Sequence, residues 1–146
     1  MRIYDMLPDL SDVKQLGASN YKVALLGSKP IIVVFWSVSC SSCGYFLQQL
    51  AEVPEIKSKE VVPILIHTYL TKEYPNAAEI RYKLDQIRMD AICLDDVDDQ
   101  LTNKFQFRFV PAFYLFDKYE RLRFMQIGKS STSLIEKRLK RLLHTN

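Results

Sequence analysis

Three features of the sequence predict an α/β sandwich in which a mixed central β-sheet is flanked by helices on both faces. Short apolar runs alternate with helix-spaced segments, two adjacent apolar runs close the series before a last helix, and the run at 30–37 is continuous rather than alternating. A continuous run is what a strand covered on both faces requires. Alternation supplies crossover helices for parallel neighbours, and the closing pair reads as an antiparallel hairpin, which makes the sheet mixed. A length of 146 residues fits one domain, 1–146.

The first residues, MRIYDMLPDL with Pro8, read as an extension leading into the core. Pro30–Ser37 (PIIVVFWS) is the central strand, rich in β-branched and aromatic residues. Beyond Cys43, Phe46, Leu47, Leu50 and Val53 fall at helical spacing, and Pro54 marks a stop or kink. Val61–Ile66 is the second core strand, and Asn76–Arg88, with Ile80, Leu84 and Ile87 on one stripe, is a helix inserted before the third, Ala91–Leu94. Val97–Phe105 is a short helix. Ala112–Phe116 and Leu122–Ile127 form the hairpin through Asp117 and Lys118. The last helix, Ser131–Leu143, carries Leu134, Ile135, Leu139 and Leu142 on one face and basic residues on the other, the pattern of a docked helix with a solvated basic side.

With 48% hydrophobic and 25% charged residues the chain is ordinary globular protein, which excludes disorder and fibrous repeats. A net charge of +3 is too slight to point to nucleic acid. The N-terminus, with Asp5, Asp9 and Pro8, lacks the apolar core of a signal peptide, and no run approaches the roughly 20 apolar residues of a membrane span, so a soluble cytoplasmic protein is expected. Three cysteines in a chain able to build its own core argue against a disulfide scaffold.

Two of those cysteines form Cys40-Ser41-Ser42-Cys43 at the junction of the central strand and the helix after it. Two intervening residues let both sulfurs meet within the first helical turn, whose unpaired N–H groups stabilise an anion. Cys40 is then the exposed thiolate, and Cys43, one turn on, faces inward and resolves a mixed disulfide. Lowering a thiol pKa from about 8.5 to about 7 raises the thiolate fraction at pH 7 roughly fifteenfold. Reduced nucleophilicity takes back roughly fivefold, so attack gains only about threefold. The larger effect is on leaving-group quality and reduction potential, where about 30 mV corresponds to about 1.4 kcal/mol.

Far downstream, Phe109-Val110-Pro111-Ala112 places a proline at the start of an apolar strand, an odd position for an interior strand. Phe35-Trp36 leading into the CxxC, Val110-Pro111, Gly128 after the strand pair and a terminal helix together resemble the thioredoxin superfamily over nearly the whole chain. The inserted helix and the leading segment most resemble its TlpA/ResA-like branch, in particular small soluble Bacillus-type members. The resemblance implies a thioredoxin-like three-layer sandwich and a thiol-disulfide oxidoreductase that cycles Cys40–Cys43 through a mixed disulfide, most simply a protein-disulfide reductase. It implies a cis Pro111 beside the dithiol, which also keeps metal from the sulfurs, and Val110 offering backbone groups to an extended substrate strand. Trp36, Ser39, Ser41, Ser42, Val110 and Pro111 then form the substrate-binding surface. No metal and no cofactor beyond the redox pair is implied. The partners implied are protein or peptide disulfides and an electron-donor dithiol, not nucleic acid or membrane, with the chain acting as a monomer.

Departures from the family pattern are informative. Ser39 stands where thioredoxins commonly have Trp, Gln48 where they have a kinking Pro, and Val34 and Phe46 where family members place acidic residues. Ser41-Ser42 replaces Gly-Pro and brings two hydroxyls able to donate to a Cys40 thiolate.

Other interpretations compete with these. A zinc site needs two further ligands, and Cys93, His67 and His144 are dispersed in sequence. Cys93 reads as a small core residue and His67, at a strand end, as a satisfied or solvated histidine. Asp95, Asp96, Asp98 and Asp99 lack the spacing of a calcium loop and read as helix caps. Alternative functions are a peroxiredoxin-like peroxidase, for which Ser37 is a loose substitute in the missing Thr-x-x-Cys, and a non-catalytic peptide-binding thioredoxin-fold module.

Overall fold

In the computed structural model, which describes residues 1–70, 72–128 and 131–144, six strands form one mixed sheet with helices on both faces. The strands are β1 (Lys14–Gln15), β2 (Ile31–Trp36), β3 (Val62–His67), β4 (Ile92–Asp95), β5 (Ala112–Phe116) and β6 (Leu122–Ile127). The helices are α1 (Ser41–Ala51), α2 (Pro54–Lys57), α3 (Ala77–Asp85), α4 (Gln100–Phe105) and α5 (Thr132–Leu143). Sheet order is β1-β4-β3-β2-β5-β6, with β2, β3 and β4 parallel and β1, β5 and β6 antiparallel to their neighbours. Among the described residues no helix is long and apolar enough to cross a membrane.

Strand β2 lies at the centre and every residue of it is buried, as its unbroken apolar run requires. Its two faces go to different cores. Ile31, Val33 and Phe35 join Phe105, Phe107 and Tyr114, whereas Ile32, Val34 and Trp36 join Cys43, Phe46, Leu47 and Leu50 of α1 together with Ile135 and Leu139 of α5. This alternation corrects the expectation for Trp36. It is 2% exposed and packs in the core beneath the dithiol, touching the active-site surface only at the floor of a recess it shares with Cys40 and Ser41.

Several boundaries differ from expectation for local reasons. Of the stop or kink expected at Pro54 the stop is what occurs: α1 ends at Ala51 and Pro54 opens α2 at its first turn, where a missing N–H is harmless. Helix α3 ends at Asp85, ahead of Arg88 with its left-handed φ of 57°, and begins with a capping box between Asn76 and Glu79. Helix α4 starts at Gln100, not Val97, because Asp99 is left-handed (φ 56°). The buried Asp96 carboxylate accepts the N–H groups of Leu101 (3.0 Å) and Thr102 (2.8 Å) and the Thr102 hydroxyl (2.7 Å). The acidic cluster is therefore partly a cap, as expected of acids ahead of a helix. Asp96→Ala strands three donors and should cost about 2–3 kcal/mol, read as a lower urea midpoint at unchanged slope. Strand β1 carries no apolar signal: both its residues are exposed and pair with Asp95 and Leu94. Cys93, half-buried in β4, is a packing residue whose thiol burial pushes up to about 11.

Candidate active site

Parallel packing of β2 and β3 brings the C-terminal ends of both strands to one edge of the sheet, with Trp36 in register with His67. From there the chain turns once, closed by a bond from the Cys40 N–H to the Ser37 carbonyl (3.2 Å), and enters α1. Cys40 is the N-cap of α1, in extended conformation, with no acidic residue in the first turn. Its side chain therefore sits at the capping position, so the thiolate formed on reduction lies at the positive end of the helix. Cys40 and Cys43 are joined as a disulfide with their Cα atoms 5.4 Å apart.

The two sulfurs have unequal surroundings. Cys43 is fully buried in the α1-side core, whereas Cys40 is half-buried, less open than the sequence suggests, and lines a recess of about 340 Å³ with Ser37, Ser39, Ser41, Ser42, Leu70, Arg108, Phe109 and Val110. The Val110 carbonyl lies 3.6 Å from Cys40 Sγ, and so does the Ser42 hydroxyl. Ser41 is exposed at the rim. The Val110–Pro111 bond is cis. Pro111 itself is buried, and the Val110 carbonyl is the backbone group presented to the sulfur. Val34 and Phe46 are buried in the same cluster as Cys43, and neither position offers it a carboxylate. Among the described residues no group of three metal-ligating side chains exists.

Thus Cys40, Cys43, Ser39, Ser41, Ser42 and Val110 come together, while Trp36 and Pro111 are buried, Trp36 reaching a recess it shares with Cys40 and Ser41. Sequence reasoning missed Leu70 and Arg108–Phe109 on the rim. A large apolar residue, Phe109, directly before Val110–Pro111 was the available signal, and the structure leaves its side chain 69% exposed. Sequence reasoning also placed His67 only loosely. The imidazole is 1% exposed, not solvated, and its Nε2 accepts the Val38 N–H at 3.3 Å. Its Nδ1 lies 3.3 Å from Asp95 Oδ1, an electrostatic contact short of a well-aligned hydrogen bond.

A half-exposed sulfur on a helix N-terminus, a buried partner one turn on and a cis X-Pro bond alongside define a thioredoxin-fold thiol-disulfide oxidoreductase. The family model for the thioredoxin-like domain matches residues 18–143, and the chain belongs to that family. It is 28% identical over 144 residues to the thiol-disulfide oxidoreductase YkuV of Bacillus subtilis (strain 168), covering 98% of this chain and 97% of that one. The solution structure of a thioredoxin-like protein in the oxidised form superposes with a TM-score of 0.79 at 27% identity, covering 98% of this chain and 97% of the other. A thiol-disulfide isomerase from Corynebacterium glutamicum shares the fold (TM-score 0.84, 17% identity, 98% of each chain). The inserted helix expected of the TlpA/ResA-like branch is α3, between β3 and β4.

Proposed function

We propose that the chain works as a reductase of protein or peptide disulfides, as a cytoplasmic monomer that needs no cofactor beyond its own cysteine pair. The observation that carries this reading is the asymmetry of the pair: Cys40 opens on the recess beside Val110, and Cys43 is sealed behind it. A reduced Cys40 thiolate attacks one sulfur of a substrate disulfide, that S–S bond breaks, and the departing substrate sulfur leaves as a thiolate that takes a proton from water. Cys43, deprotonated, then attacks Cys40 Sγ, expelling the second substrate thiol and closing the Cys40–Cys43 disulfide. An external dithiol returns two electrons and two protons. The reductive direction follows from the expected compartment, whose thiol pool keeps such a pair reduced between turnovers.

Two measurements test this. A disulfide-bonded protein in dithiothreitol should be reduced several-fold faster with the chain than without it, and no acceleration would overturn the reading. Equilibration with glutathione should place the pair near the roughly −270 mV of a reductase, whereas a value above about −180 mV would make it an oxidant or isomerase.

A further inference from the structure

We infer that His67 is a positioning residue of the dithiol turn: by accepting the Val38 N–H, its neutral ring fixes the backbone that carries Cys40, and protonation of the ring frees that turn. The inference rests on the thiol-disulfide reading and adds to it a residue outside the CxxC motif.

The geometry is specific. Between the end of β2 and Cys40 the chain makes the short turn Ser37-Val38-Ser39, anchored to the neighbouring strand end by Thr68 N–H to the Trp36 carbonyl (2.8 Å) and Val38 N–H to His67 Nε2 (3.3 Å). The ring stands edge-on between Trp36 and Tyr69, with centroids 5.0 Å and 4.8 Å away, so it has little freedom to swing. Because Nε2 accepts, the proton of the neutral ring must sit on Nδ1, facing Asp95. Asp95 Oδ1 also accepts the Tyr69 hydroxyl at 2.7 Å, which fixes the carboxylate. A doubly protonated ring would point an N–H at the Val38 N–H, donor against donor.

The groups facing the ring bear on when that happens. Asp95 from β4 favours the cation, Tyr69 is a neutral donor, and Trp36 from β2 is uncharged. Glu73, Tyr74 and Glu79 line the recess of about 240 Å³ that His67 shares with Ser37, Val38 and Ser39. Burial outweighs Asp95 and holds the imidazole below the ordinary value of 6.5, so the latch is closed at neutral pH.

The test uses the full chain in its oxidised form, in which neither active-site cysteine titrates. In ¹⁵N-labelled protein the His67 ring should show the Nδ1–H tautomer at about pH 7.5. On acidification the Val38 amide resonance should move with the same midpoint as the His67 ring protons. Gln is the informative replacement, since its amide oxygen reaches the Nε2 position and does not titrate. His67→Gln should keep dithiothreitol-coupled turnover within about threefold of wild type and lose the Val38 titration below pH 6.5. His67→Leu should lower kcat/KM about tenfold, the rate equivalent of one lost hydrogen bond. A purely structural histidine would not be rescued by Gln in preference to Leu. A Val38 amide that ignores the His67 titration, an Nε2–H tautomer, or wild-type turnover in His67→Leu would overturn the inference, and the two resonance measurements decide it even where the Leu variant does not fold. Absence of wild-type turnover would overturn the reductase reading alone, since the resonances are read on protein that is not cycling.

Discussion

Cys43→Ser should stop turnover and leave the chain covalently joined to its substrate. Cys40 Sγ is reachable from the recess beside Leu70, Phe109 and Val110, so the first attack survives the substitution. The step that fails is the second. Cys43 acts from within the first turn of α1 on a sulfur to which it is bonded in the oxidised state, and well-placed intramolecular attack has effective molarities of about 10⁵ M and above. Millimolar dithiothreitol is a far weaker substitute, so turnover should fall by at least about 10³-fold. Because Cys43 is a small buried residue and serine is nearly isosteric, the fold should persist, and a mixed disulfide should appear on a non-reducing gel at the summed mass of chain and substrate. Cys40→Ser should give neither turnover nor complex, because the remaining sulfur is sealed in the core. Near-normal turnover in Cys43→Ser, or a trapped complex in Cys40→Ser, would reverse the roles assigned to the two sulfurs.

What the sequence made legible was whatever depends on short-range pattern. The hairpin is observed at Ala112–Phe116 and Leu122–Ile127 as expected, since two apolar runs meet at a turn that Asp117 closes locally by accepting the N–H groups of Tyr119 and Arg121. The dithiol was legible for the same reason: two cysteines at a strand-helix junction need no distant partner to define them. Features set by distant pairing were not. Lys14–Gln15 is a strand only because β4 lies beside it. The environment of His67 depends on the register between β2 and β3 and on Asp95 from β4, none of which a single strand reveals. Trp36 shows a further difficulty. In a strand covered on both faces every side chain is buried, so the sequence carries no contrast between faces, and the resemblance placed Trp36 on the surface while the pleat sends it to the α1 core.

That pleat makes Phe35, the residue before it, the pivot of the opposite core, and Phe35→Ala should be the most damaging simple truncation there. Its ring is fully buried and meets Phe107 at 4.2 Å, Phe105 at 4.8 Å and Tyr114 at 5.8 Å between centroids. Phe105 closes α4, and Phe107 opens the segment running to Arg108, Phe109 and Val110, so Phe35 ties the far rim of the active site to the central strand. Removing a buried phenyl group forfeits its transfer free energy and leaves a cavity that a strand paired on both sides cannot collapse to fill. The expected loss is about 3–5 kcal/mol, seen as a lower urea midpoint with an unchanged slope. Phe107→Ala should be less than additive with it, because each truncation removes the same ring-ring contact. Fully additive losses, or a single-variant loss below about 1 kcal/mol, would show that the rim is held by other contacts. The Cys40–Cys43 pair packs against the other face of β2, so the surviving folded fraction of Phe35→Ala should still form the mixed disulfide when combined with Cys43→Ser.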